Sequence, residues 1–106
     1  MSAMKEKMRA AEGELRRLLE GNEATAGMYV RVHGDHLIAG RKEPIGVDGT
    51  IEDDDRVRFT QLGRGRYGLS VKRHTGRWEP TPFLGSLRET VDAVCSFMQH
   101  LVAAYG

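Results

Sequence analysis

The sequence predicts an α+β domain: an antiparallel sheet of about five strands flanked by one N-terminal and one C-terminal helix, in the order α-β-β-β-β-β-α. Three observations carry this. Apolar residues recur at helical spacing at both ends of the chain, and between them they alternate with period two. Glycine-containing turns separate the alternating runs, as in successive hairpins. A chain of 106 residues suits a single domain with one core.

The first helix is expected over residues 3–20. Met4, Met8, Ala11, Leu15 and Leu18 follow spacings of 4, 3, 4 and 3, a heptad-like seam with Leu19 beside it. Gly13 interrupts it at about 1 kcal/mol against alanine, so the helix needs packing to persist. Gly21-Asn22 supplies a stop. The seam can pack on its own domain or on a partner, and Met8, Leu15 and Leu18 are the candidate partner-binding residues.

Strands are expected at about 27–33, 36–41, 56–62, 66–73 and 77–80. Met28, Val30 and Val32 alternate with Tyr29, Arg31 and His33 before a Gly34-Asp35 turn. Val57 and Phe59 oppose Arg56, Arg58 and Thr60, and Tyr67, Leu69 and Val71 oppose Arg66, Gly68, Ser70 and Lys72. Pro80 and Pro82 are expected to terminate the last strand. Residues 42–55 read as a loop ending in an acidic run. The closing helix is expected over 86–103. Ser86 and Glu89 form a capping-box pair at its start, and Leu87, Val91, Val94, Cys95, Met98, Leu101 and Val102 make its apolar stripe.

Apolar content of 40% and charged content of 29% are ordinary for a folded protein. No apolar run approaches the roughly 20 residues of a membrane-spanning helix. The mixed charges of Met1–Arg9 do not make a secretory signal. The expectation is a cytoplasmic protein without a membrane partner. Cys95, the only cysteine, sits on an apolar helix face and reads as a core residue.

The net charge is only +1, yet it is unevenly laid out. Glu43 to Asp55 holds six acids and no base, whereas Arg56 to Trp78 holds seven bases and no acid. The acidic run lacks the spaced ligands and central glycine of a calcium loop. His33-Gly34-Asp35-His36 lacks a third close metal ligand. Neither paired carboxylates nor a Gly-x-Ser-x-Gly nucleophile motif is present. No cofactor, metal or catalytic set is therefore expected, and the protein reads as a non-enzyme.

Gly63-Arg64-Gly65-Arg66-Tyr67-Gly68 resembles, over about ten residues, the glycine-rich loop of protein kinases, which also joins two antiparallel strands. The other kinase motifs are missing, so the run reads as a tight hairpin turn. The overall layout, hairpins followed by one long C-terminal helix, is similar to single-strand-binding modules of the PUR type, although no residue motif is shared.

Two functions follow as expectations. The first is a small interaction module, self-associating as a homodimer or binding a protein partner through the helix seam or a sheet face. The alternative is single-stranded nucleic-acid binding by the basic hairpins, with Arg56, Arg58, Arg64, Arg66, Lys72, Arg73 and Arg77 as the polyanion-binding residues. Tyr29 and Trp78 are the candidates for stacking a base. The alternative depends on which sheet face the helices leave open.

Overall fold

In the computed structural model, residues 3–104 are described, and they form the expected α+β architecture. Helix α1 spans Ala3–Glu20. Strands β1 (Tyr29–His33), β2 (His36–Glu43), β3 (Glu52–Gly63), β4 (Arg66–Lys72) and β5 (Trp78–Gly85) follow, then helices α2 (Leu87–Phe97) and α3 (Gln99–Val102). The five strands make one antiparallel meander in sequence order. Each pairing joins neighbours in the chain, so hairpins alone set the topology.

Both long helices lie on the same sheet face. Met8, Ala11, Leu15 and Leu19 of α1 and Leu87, Val91 and Val94 of α2 share one core with Val30, Leu37, Val57, Phe59, Tyr67 and Leu69. The α1 seam is thus used within its own domain. The α1 stop also follows the sequence: Gly21 N donates to Arg17 O, and Asn22 Nδ2 to Leu18 O. At the start of α2, Glu89 N donates to Ser86 Oγ while Ser86 N donates to Glu89 Oε1, completing the expected capping box.

Several boundaries differ from the sequence reading, each for a physical reason. The acidic run is strand rather than loop, because cations stand within reach of each aspartate: Asp53 pairs with Lys42, Asp54 with Arg56 and Asp55 with Arg31. Those pairs offset the poor strand propensity of aspartate. They also lengthen β2 to Glu43 rather than 41. Strand β1 starts at Tyr29, two residues later than expected.

Strand β5 runs through both prolines to Gly85 instead of stopping at 80. It is an edge strand, where a missing N–H costs no ladder bond, and Thr81 Oγ1 donates to Leu69 O across an irregularity in the pairing. The closing helix breaks at Met98 (φ −130°), which separates α2 from the four-residue α3. At the opposite edge, Arg16 of α1 donates to Val30 O at 2.8 Å, so a side chain occupies part of the β1 rim.

Candidate polyanion-binding face

Because α1 and α2 cover one face of the sheet, the other is left open. Alternation places Tyr29 and Arg31 of β1, His36, Ile38 and Lys42 of β2, Arg58 and Thr60 of β3, and Arg66, Gly68, Ser70 and Lys72 of β4 on that face. The strand-centred cations Arg58 and Lys72 stand there as expected.

Arg56 does not. A bulge interrupts the β2–β3 ladder: Ala39 pairs with Val57, but Gly40 pairs with Asp55, so Arg56 is the extra residue. A bulge shifts the alternation by one residue and re-aims a side chain. Arg56 is 7% exposed and turned under α3, where Nη1 donates to the carbonyls of Leu101 and Ala103 and Nε pairs with Asp54 at 2.8 Å. Its Nη2 stands 3.4 Å from buried Glu43. Arg56 is a structural residue closing the core, and its assignment to polyanion binding is corrected.

The open face divides into two halves of different character. On β1–β3, Asp55 accepts from Arg31 Nη2 at 2.6 Å and from the Tyr29 hydroxyl, and Lys42 pairs with Asp53 at 2.6 Å. Burial alone would raise the Asp55 pKa, but the hydrogen bonds from Arg31 and Tyr29 outweigh it and hold the carboxyl below its ordinary value. The Tyr29 hydroxyl is pushed up, first by burial and then by its bond to Asp55. This half is neutralised internally.

On the β3–β5 half Lys72 feels the Asp55 charge only at longer range than an ion pair. Among the described residues, no carboxylate forms an ion pair with Arg58, Lys72, Arg64, Arg66 or Arg77. Arg58 lies over the Trp78 ring at 5.0 Å, and the Lys72 ammonium is 5.8 Å from the same centroid. Such cation–π contacts hold long side chains in place without cancelling their charge. Ile38, between Arg31 and Arg58 in register, is only 4% exposed. The Arg58 Nε is buried and has no hydrogen-bond partner among the described residues. Arg64 sits in the left-handed region (φ 56°) between Gly63 and Gly65, so the kinase-like glycine run is a hairpin turn carrying an exposed cation. Arg73 is less available, because it pairs with Glu79 at 2.6 Å.

The remaining candidates fall elsewhere. Met8 and Leu15 are 1% and 0% exposed, and Leu18 packs on the same core, so the helix seam assigned to a partner is used by this chain. His36 Nδ1 is 2.8 Å from Thr60 Oγ1 and its Nε2 is 3.3 Å from Asp35. Burial and then Arg58 lower its pKa. No cluster of three or more metal-ligating side chains occurs among the described residues. Burial pushes the Cys95 thiol up, which opposes a nucleophilic role.

Sequence reasoning passed over Leu62 and Leu84, which are 55% and 50% exposed on the open face. Gly68, which pairs with Leu84 and lies under the Leu62 side chain, was the available signal. No helix among the described residues is long and apolar enough to cross a membrane. Compared with known proteins, the chain matches no family model, no curated protein and no solved structure.

Proposed function

We propose that the protein is a non-catalytic module that binds single-stranded nucleic acid on its open sheet face. One observation carries the reading: Arg58 and Lys72 stand on that face against Trp78, with no carboxylate among the described residues in an ion pair with either. Guanidinium and ammonium groups fixed on a solvent-facing sheet suit phosphates. Arginine planes and aromatic rings also offer stacking surfaces to unpaired bases. Arg66 and Arg64 extend the positive charge to one end of the sheet, and Arg77 extends it to the other.

Trp78 is the only tryptophan, so its fluorescence reports on the face itself. A fluorescein-labelled oligothymidylate is titrated with the protein while anisotropy and tryptophan emission are followed at about 50 and 200 mM salt. Binding is expected to quench Trp78 and weaken with salt. Arg58→Glu with Lys72→Glu is expected to lower affinity at least about tenfold and to flatten the salt slope by about 1.4, at roughly 0.7 for each phosphate no longer neutralised. Absence of binding at low salt, or a double variant that binds like the parent, overturns the reading.

A further inference from the structure

The geometry points to a defined seat on this face: a single strand running along β4, with one base set on Gly68 between Leu62 and Leu84. This rests on the nucleic-acid reading and adds to it a path, a length and an apolar pocket.

Along the open face, β4 presents Arg66, Gly68, Ser70 and Lys72 in turn. Its two ends carry cations and its middle carries the smallest side chains, so the strand is the floor of a shallow trough. Gly68 pairs with Leu84 of β5 on one side and Thr60 of β3 on the other. Leu62, the extra residue of a second β3 irregularity, leans toward this position: a Cβ added to Gly68 would stand 3.6 Å from Leu62 Cδ1 and meet nothing else within 4 Å. Two half-exposed leucines beside a part-exposed glycine form an apolar slot. Strands lie about 4.8 Å apart, so walls on β3 and β5 are separated by about 10 Å at the backbone. That width admits a flat ring.

Beyond the slot the trough changes character. Ser70 is 6% exposed, with Arg58 and Pro80 as its register neighbours and Trp78 two residues from Pro80 on β5. Here the surface offers a guanidinium over an indole, 5.0 Å from its centroid, then Lys72. The order along β4 is therefore cation, apolar slot, guanidinium over indole, cation. A chain alternating phosphates with flat apolar rings has that pattern. Duplex DNA does not, because its bases are stacked inside and cannot enter the slot. Arg66 to Lys72 is seven residues, and its six steps cover about 20 Å, which holds at most about six nucleotides at the 3.4 Å stacked spacing.

The test compares Gly68→Val with the Arg58→Glu/Lys72→Glu variant, using oligothymidylates of increasing length and a matched duplex. Valine fills the slot, leaves the net charge unchanged and suits a strand. A Leu62→Ser/Leu84→Ser variant, altering two exposed side chains, removes the walls and serves as a second probe independent of how Gly68→Val folds. The expected results are at least a tenfold loss for both slot variants with an unchanged salt slope, affinity that stops rising at about six nucleotides, and weaker binding of the duplex. If the charge variant loses binding while both slot variants keep it, the seat is wrong and the basic-face reading stands. If the parent binds no oligonucleotide, or binds a peptide of alternating acidic and leucine residues more tightly, both fall.

Discussion

Replacing Gly40 with alanine tests the bulge that sorts Arg56 from Arg58. At Gly40, opposite the bulge, β2 leaves no room for a side chain. A Cβ there would fall inside van der Waals contact of the Asp54 carbonyl oxygen and the Tyr29 hydroxyl, and 2.8 Å from the Asp55 Cα. Two of those three atoms are backbone and cannot swing aside, so the strands must part by about 1 Å. Overpacking costs typically 1–3 kcal/mol, and the disturbed Tyr29–Asp55 bond places this case at about 3 kcal/mol. An unfolding entropy of about 2.1 cal/mol/K per residue gives roughly 0.2 kcal/mol per degree for this chain, so the melting midpoint should fall by roughly 13 °C. Gly13→Ala is the matched control. Its added Cβ meets only the flexible Arg17 Nη1, at 3.6 Å, within α1. That change should raise the midpoint by roughly 4 °C, for about 1 kcal/mol of helix propensity. Thermal melts by circular dichroism of both variants decide the matter. If Gly40→Ala melts within about 3 °C of the parent, the close-approach account of the bulge is wrong.

Acid should weaken the fold in two stages. The pKa of His36 is lowered in the folded state, so its stability contribution is complete above the ordinary imidazole value of about 6.5 and is lost as pH falls through the folded value. Asp55, also held low, contributes fully above the ordinary carboxylate value of about 3.9 and loses that contribution as pH falls through its own folded value. Urea midpoints measured from neutral pH downward should fall through both windows, and His36→Asn should remove only the upper step; a midpoint that rises on mild acidification contradicts this. Leu15→Ala, at a fully buried site, should cost about 3–4 kcal/mol in urea unfolding. Light scattering that showed a change of oligomeric state with stability intact would instead return the α1 seam to an intermolecular role.

Much of the fold was legible because each hairpin advertises its own period and turn. Val57/Phe59 and Leu69/Val71 set the phase of β3 and β4, and Ser86/Glu89 fixed the start of α2. What escaped was set by groups distant in sequence. The bulge opposite Gly40 reverses the facing of Arg56, yet strict alternation gave no warning of it. The strand character of Glu52–Asp55 depends on Arg31 and Lys42 besides the neighbouring Arg56, and only pairing reveals that Arg31 and Lys42 are within reach. Pro80 and Pro82 looked like terminators because the sequence does not say which strand lies at an edge. For the site, Arg58, Lys72 and Trp78 were visible as types; their convergence needed the register Lys72↔Trp78.

Two arginines tie distant parts of the chain together. Arg41 donates to the carbonyls of Ala24 and Ala26 and, 61 residues downstream, to Val102, while Arg56 reaches Leu101 and Ala103. During synthesis the whole sheet emerges before these last acceptors do. Until α3 arrives, Arg56 has Asp54 and Glu43 and Arg41 has the carbonyls of Ala24 and Ala26, but each lacks acceptors of the finished fold, and a charged group short of its hydrogen bonds resists full enclosure. The sheet's helix-covered side is therefore expected to stay hydrated around Arg41 and Arg56 while the chain grows. The expected order of assembly is strands first, with the seal on the core formed only once α3 supplies its carbonyls to Arg41 and Arg56.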